Sequence, residues 1–256
     1  GDKWQPYPEE LNRILTGKIT ELHFAPTHQA KENLLRENVP PESIFVTGNT
    51  VIDALFHCLP KGFDKKMIHS VADTDEKLIL VTAHRRENWG RPLENIIQAL
   101  QGILADNPQV RMLIPVHLNP SVQKLFHDAL GSEPRVNLVK PFDYQQMVEA
   151  MAKVYLIITD SGGIQEEAPS LGKPVLVLRN KTERPEAIKA GTVRLVGTET
   201  ENIRKTANLL LQDFHEYQKM AHAINPYGDG EASLRIVAGL KYHFGLLPEK
   251  PEDFTT

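Results

Sequence analysis

Cysteine is almost absent from the 256-residue sequence, which contains Cys58 alone. An intrachain disulfide is therefore excluded, and so is a metal site built from several cysteines. The apolar, helix-like setting of Cys58 favours inert packing over a reactive thiol. Because the chain has no secretory signal pattern either, we expect a cytoplasmic protein.

The sequence also lacks long apolar runs and any concentration of charge of one sign. Its apolar runs are no longer than a strand, so we expect no membrane-spanning helix. The 29 Lys and Arg residues are interspersed with 33 Asp and Glu residues, and the net charge is -4. No basic stripe predicts nucleic-acid binding.

Strand-like apolar runs alternate with helix-like segments from Lys77 onward. The runs are Leu78–Val81, Met112–Val116, Val136–Val139, Val154–Thr159, Pro174–Leu178 and Val193–Val196. Continuous apolar strands interleaved with helices are typical of a parallel sheet covered on both faces. We therefore predict a complete, doubly wound Rossmann-like α/β domain over residues 76–224.

Residues 1–56 follow the same pattern but contain only two strand-like runs, Glu21–Ala25 and Ser43–Val46. Two strands do not make a stable open sheet with helices on both faces. We interpret residues 1–56 as the C-terminal remnant of a first doubly wound domain whose earlier strands precede Gly1. The chain is then part of a longer protein.

The remaining segments are interpreted from composition and from the pattern of apolar residues. Residues 57–75 contain turn-like and acidic stretches and are predicted to be a linker. Residues 225–256 carry a last helix that we expect to return to the first domain. Its apolar side chains should pack there, namely Leu234, Ile236, Val237, Leu240 and Phe244.

Polar clusters follow the carboxyl ends of the predicted strands, where open parallel sheets bind ligands. After the first strand of the complete domain come His84 and Arg85. A histidine can donate a proton to a leaving phosphate, and an arginine fork suits phosphate oxygens. The alternative is a capped turn with solvated arginines. His117, after the second strand, is equally compatible with a structural and a functional role.

The stretch from Thr159 to Glu167 carries the sharpest local signal. Ser161, Gly162 and Gly163 lie between a strand and a helix, where small residues let backbone N–H groups approach an anion. The Walker and dinucleotide-binding patterns are both absent. Glu167 could accept the hydroxyls of a ribose; the alternative is compensation of the helix dipole.

Two more clusters fit either function or helix capping. Arg184 precedes a helix that begins at Pro185, so it can bind an anion or belong to the helix start. Glu9 lies in a pair of carboxylates at the start of a predicted helix, which the dipole alone explains. In combination, the clusters describe a nucleotide-sugar cleft.

Eight stretches, in order along the chain, carry a resemblance to a known family. They are Pro8–Arg13, Val46–Ala54, His84–Asn88, Pro115–Pro120, Thr159–Gly172, Thr182–Glu186, Gly191–Gly197 and Asn225–Gly230. In these stretches the chain closely resembles the non-hydrolysing UDP-N-acetylglucosamine 2-epimerases. The resemblance implies two Rossmann-like domains of the glycosyltransferase-B type, the first incomplete in this chain.

The resemblance also implies an activity. The family interconverts UDP-GlcNAc and UDP-ManNAc by elimination and re-addition of UDP, supplies surface polysaccharide precursors, and needs no cofactor or metal. It further implies a homodimer that binds UDP and both UDP-sugars. Because other catalytic carboxylates of the family precede Gly1, we expect these residues alone to be inactive.

Residue roles follow from the matching positions. Glu9 and His84 resemble catalytic residues, and Ser161, Gly162 and Gly163 resemble the diphosphate loop. Glu167 resembles the ribose-binding glutamate. Arg85 and Arg184 are candidate UDP-binding residues, while Arg85 and His117 also resemble residues of an effector site.

Three alternatives stay open at this point. One is a fragment that binds UDP or a UDP-sugar without turnover. The others are a hydrolysing epimerase and a glycosyltransferase of the same fold. The stretches His84–Glu87 and Thr182–Glu186 argue against the glycosyltransferase.

Overall fold

The computed structural model describes Trp4, residues 7–59 and residues 76–256. Residues 60–75 of the predicted linker lie outside this described part. The chain divides into two compact units. The smaller unit contains the residues up to Asp53 together with Tyr227–Thr256, and the larger unit is Ala54–Pro226.

Helices and strands alternate along the described chain. Their bounds are α1 (Glu9–Ile19), β1 (His23–Ala25), α2 (His28–Arg36), β2 (Ile44–Val46), α3 (Thr50–Cys58), β3 (Lys77–Thr82), α4 (Arg91–Asp106), β4 (Val110–Pro115), α5 (Pro120–Leu130), β5 (Val136–Val139), α6 (Tyr144–Lys153), β6 (Leu156–Thr159), α7 (Gly162–Glu167), β7 (Val175–Val177), α8 (Pro185–Ala190), β8 (Val193–Leu195), α9 (Thr200–Gln212), α10 (Phe214–Ala221) and α11 (Ala232–His243). No described helix is both long and apolar enough to cross a bilayer.

The larger unit is built on a parallel sheet of six strands in the order β5-β4-β3-β6-β7-β8. All six strands lie where the apolar runs predict them, so the predicted α/β fold is confirmed. The order reverses between β3 and β6, which are neighbours in the centre of the sheet. Such a reversal opens a crevice beyond the carboxyl ends of the two strands.

Burial on both faces explains why these runs form a central sheet. On one face, Ile79 and Val81 of β3 pack with Leu100 of α4 in a cluster that includes residues of α5, α9 and α10. Leu80 of the same strand alternates to the other face and is also fully buried. Each such side chain contributes about 1.5–3 kcal/mol relative to exposure.

The smaller unit contains a parallel pair of strands, β1 and β2. The last helix, α11, begins where Asp53 accepts hydrogen bonds from the N–H groups of Ala232 and Ser233. Gly239 of α11 lies against Phe24 of β1, and an added Cβ would be 3.0 Å from that ring. A larger residue would displace the ring by a few tenths of an ångström, so the close contact favours glycine at this position.

Most of the apolar positions expected to pack in α11 are exposed in this chain. Leu234, Val237, Leu240 and Phe244 are exposed and Ile236 is half-buried, whereas the buried residues of the helix are the small Ala232 and Gly239. Apolar periodicity identifies the face that carries the large apolar side chains. It does not show that the helix instead packs through small residues, which allow a closer approach.

Candidate active site at the switch point of the sheet

The carboxyl ends of β3 and β6 are joined side by side at the switch point. Thr82 and Thr159 pair in register, and their hydroxyl oxygens are 2.6 Å apart. The Thr159 hydroxyl also accepts a hydrogen bond from the N–H of Ser161 at 3.0 Å. This buried pair of threonines ties the start of the Ser161 loop to the neighbouring strand.

The loop after β6 leads directly into α7. Ser161 is the N-cap residue, but its side chain makes no capping hydrogen bond to the helix. Its hydroxyl and the N–H groups of Gly162 and Gly163 are therefore not consumed by a cap. A short helix start of this kind presents donors and a partial positive charge to an anion.

Charged side chains of both signs surround Gly162. An added Cβ there would lie 2.9 Å from Oε1 of Glu183, 3.6 Å from Arg85 and 3.9 Å from Arg184. The structure thus brings the predicted arginines to the predicted anion loop. It also places the carboxylate of Glu183 there. Burial raises the pKa of Glu183, but its own backbone N–H, Arg179 and Arg184 outweigh burial and lower it.

Arg184 is held by an acidic partner on α7. Its Nε atom donates to Oε1 of Glu166. Burial raises the pKa of Glu166 above its usual range although Arg184 opposes the shift. Arg184 lies at the loop, as predicted, but part of its charge is already compensated.

Glu167 points in a different direction from its neighbour Glu166, as the ~100° rotation per helical residue requires. Its Oε1 accepts a hydrogen bond from the hydroxyl of Tyr144 at 2.7 Å. Burial raises the pKa of Glu167, and Tyr144 partly offsets this effect. The other oxygen makes no hydrogen bond within the described residues, and an added Cβ on Gly163 would lie 3.7 Å from it. Glu167 therefore keeps one acceptor near the loop.

His84 and His117 follow neighbouring strands, and their rings stack with centroids 6.4 Å apart. Nδ1 of His84 is 3.1 Å from Oδ1 of the fully buried Asp160. Nδ1 of His117 instead accepts a hydrogen bond from the N–H of Asn119 at 3.1 Å. The structure brings both predicted histidines to the edge that carries Ser161.

Glu9 is the predicted catalytic residue of the smaller unit. It is exposed and is the first residue of α1. Its neighbour Glu10 forms an ion pair with Arg13 at 2.8 Å, and Arg13 lowers the pKa of Glu10 to about 2. The structure therefore commits Glu10 to a structural contact and leaves the carboxylate of Glu9 at the surface.

Sequence reasoning assigned no role to three residues of the site. Asp160 lies against His84, Asn88 donates a hydrogen bond to Asp160 at 2.9 Å, and Tyr144 donates one to Glu167. Only Asp160 carried a usable signal, because an acid directly after a fully apolar strand lies at the ligand-binding edge. Nothing in the spacing of Tyr144 and Glu167 predicts their contact. In the described part of the chain, no group of three or more His, Cys, Asp or Glu side chains is placed to hold a metal ion.

Comparison with known proteins decides the family. The family model described as UDP-N-acetylglucosamine 2-epimerase matches residues 1–241. The chain belongs to this family. A curated UDP-N-acetylglucosamine 2-epimerase of Bacillus subtilis (strain 168) is 53% identical over 255 residues, covering 100% of this chain and 67% of the relative. The predicted resemblance and class of enzyme, an isomerase, are confirmed.

Solved structures agree with this assignment. The S. aureus MnaA–UDP co-structure is 46% identical with a TM-score of 0.90, covering 99% of this chain and 69% of that one. The Neisseria meningitidis UDP-GlcNAc 2-epimerase bound to UDP-GlcNAc is 48% identical with a TM-score of 0.83, covering 94% and 67%. The chain spans about two thirds of the length of the curated relatives that it matches.

Proposed function

We propose that the protein containing this chain is a non-hydrolysing epimerase that interconverts UDP-GlcNAc and UDP-ManNAc. The observation that carries the proposal is the meeting of His84, Arg85 and the Ser161 loop at the switch point of a parallel sheet. Relatives of about half identical sequence act on UDP-GlcNAc by name, and two similar structures contain UDP or UDP-GlcNAc. The loop supplies donors for the diphosphate, and Glu167 supplies an acceptor for the ribose.

The proposed reaction breaks and remakes bonds at C1 and C2 of the sugar. A carboxylate, for which Glu9 is the candidate, takes the proton from C2, and the C2–H electrons form the C1–C2 double bond. The C1–O bond breaks, and its electron pair leaves with UDP. His84 is the candidate donor at the departing diphosphate. Re-addition of UDP at C1 and of a proton on the opposite face of C2 completes the inversion.

The finer structural assignments belong to the same proposal. The two units correspond to the incomplete first domain and the complete second domain of a glycosyltransferase-B fold. Arg184 assists the diphosphate loop, and Arg85 with His117 forms the candidate effector site. A homodimer and a cytoplasmic location, expected from the family and the single cysteine, complete it.

The test is exchange of solvent deuterium into C2 of UDP-GlcNAc, followed by NMR. We expect exchange and UDP-ManNAc formation by the full-length protein, and no exchange by the 256-residue chain. Catalytic groups act as a unit, so a set lacking members loses rate by orders of magnitude. Exchange by the isolated chain would show that Glu9 and His84 suffice.

Other outcomes would select the alternatives. Free N-acetylmannosamine instead of UDP-ManNAc would identify a hydrolysing epimerase. Binding of UDP by the full-length protein with no exchange at C2 would identify a binding module. Transfer of the sugar to an added acceptor would identify a glycosyltransferase.

A further inference from the structure

Asp160 is a fully buried carboxylate in the loop that follows β6. Its Oδ2 atom faces three donors, all from the loop after β3. These are the backbone N–H groups of His84 at 2.9 Å and Arg85 at 2.8 Å, and the side-chain amide of Asn88 at 2.9 Å. Only an accepting oxygen satisfies this arrangement, so Oδ2 and the three donors fix the position of the whole carboxylate.

The second oxygen, Oδ1, is in a different situation. It is buried and has no hydrogen bond in the described part of the chain. The imidazole of His84 nevertheless approaches it, with Nδ1 at 3.1 Å, in an orientation too poorly aligned for a hydrogen bond. A buried oxygen without a donor is costly and rare, so a small rotation of the ring that supplies the Nδ1–H is favoured.

We infer that Asp160 is a positioning residue that holds His84 as the Nδ1–H tautomer. Nε2 of His84 then faces away from Asp160 and is the atom available to the leaving diphosphate. Catalytic hydrogen bonds are often misaligned without substrate and tighten when it binds. This inference rests on the proposed function for the role of His84, but its structural content does not depend on turnover.

The neighbouring histidine provides an internal reference. Nδ1 of His117 accepts a hydrogen bond from the N–H of Asn119, so the neutral ring carries its proton on Nε2. The two stacked imidazoles are therefore expected to hold opposite tautomers. A change in the tautomer of His84 alone can therefore be distinguished from a structural disturbance that affects both histidines at this edge of the sheet.

The experiment measures the tautomers by ¹⁵N NMR of the imidazoles in the histidine-labelled full-length protein. The signals of His84 are assigned by their loss in His84→Gln. In Asp160→Asn, the amide oxygen keeps the backbone donors of the β3 loop, and its NH₂ group then faces Nδ1. We expect His84 to change from Nδ1–H to Nε2–H, while His117 stays Nε2–H.

The matched control is Asp53→Asn, which replaces another aspartate that accepts two backbone N–H groups but lies in the smaller unit. It should leave the tautomer of His84 unchanged. An Nε2–H tautomer of His84 in the unsubstituted protein would overturn the inference and requires no variant to fold. An unchanged tautomer in folded Asp160→Asn would also overturn it.

Turnover by the full-length protein supplies the functional arm. Asp160→Asn should lower the rate of C2 exchange by about 10²–10⁴-fold, the usual contribution of a positioned acid or base, with little change in KM. Full exchange in a variant whose tautomer has changed would refute the positioning role. No exchange by the unsubstituted protein would refute the proposed function, while the tautomer result would still decide the structural inference.

Discussion

Replacing Glu167 with alanine should weaken the binding of UDP through the ribose. Glu167 is buried at the end of α7, with Oε1 held by Tyr144 at 2.7 Å and the other oxygen near the Ser161 loop. A carboxylate held at one oxygen is preorganised, so it binds a hydroxyl at the other with little loss of side-chain entropy. The alanine variant removes that acceptor and leaves the loop donors in place.

The expected loss is that of one charge-assisted hydrogen bond, about 1.5–3 kcal/mol. At ~1.4 kcal/mol per factor of ten, the Kd for UDP should rise about 10- to 150-fold. Titration calorimetry with UDP and with 2′,3′-dideoxy-UDP forms a double-mutant cycle. Glu167→Ala should weaken only UDP. Unchanged affinity for UDP, or an equal loss for both ligands, would refute the ribose assignment.

The same contact predicts a pH dependence. Burial raises the pKa of Glu167 and the Tyr144 hydroxyl lowers it. UDP binding that needs the ionised carboxylate is therefore lost as the pH falls through this raised pKa. Tyr144→Phe removes the lowering contribution, so the loss should begin at a higher pH. Glu167→Gln is the control and should abolish this part of the pH dependence.

Two further predictions concern the loop and the opposite edge of the sheet. Gly162→Ala should weaken UDP binding by about 1–3 kcal/mol with little loss of stability, because its Cβ is too close only to the movable carboxylate of Glu183, 2.9 Å away, and is at ordinary contact distance from Arg85 and Arg184. Gly163→Ala, with ordinary contacts, should change affinity less. Burial lowers the pKa of Lys173 from 10.5 to about 8. Lys173→Met should therefore raise the free energy of unfolding by up to about 3 kcal/mol at pH 7, because each pKa unit corresponds to ~1.36 kcal/mol.

The Lys173 prediction has a defined sign. The unfolded chain binds the proton more tightly than the folded one, so stability should increase as the pH rises from about 8 toward 10.5. Urea unfolding at pH 7 and pH 10 should show the advantage of Lys173→Met shrinking. A constant difference would contradict the reasoning. UDP affinity should not change, since Lys173 precedes β7 at the amino end of that strand.

The sheet and the position of the site could be predicted because both follow from local patterns. Continuous apolar runs such as Val154–Thr159 are strand-sized and need cover on both faces, which requires intervening helices. Polar residues directly after those runs then fall at one edge. The sequence therefore predicts the neighbourhood of His84 and Ser161 without any knowledge of side-chain contacts.

Contacts between distant residues could not be predicted in the same way. Tyr144 and Glu167 meet because α6 and α7 lie on the same face of the sheet, and no spacing rule encodes that meeting. The helix α10 (Phe214–Ala221) was also missed, since it follows α9 after a single residue, Asp213, whose carboxylate caps it.

The sequence could have predicted which of the two carboxylates Glu9 and Glu10 forms an ion pair. Both lie in the first turn of α1, and dipole compensation explains either one. Arg13, three residues after Glu10, is a neighbour on the same face of the helix, so the spacing predicts the ion pair. Because Arg13 also binds Glu37 at 2.6 Å, Glu10 is fixed between α1 and α2. Glu9 therefore stays the proposed catalytic carboxylate of this pair.

Glu166 and Glu167 also differ in their contacts, but their partners lie far away in the sequence. Arg184 donates a hydrogen bond to Glu166, while Tyr144 donates one to a single oxygen of Glu167. The pairing with Glu166 leaves Arg184 as a partly compensated cation rather than a free one. On the proposed function, we expect the N–H groups of the loop and Arg85, whose contact with Glu183 is 3.8 Å long, to supply most of the attraction for a diphosphate. We therefore expect Arg184→Lys to lower the free energy of unfolding, through the lost contact with Glu166, by more than it lowers the free energy of UDP binding.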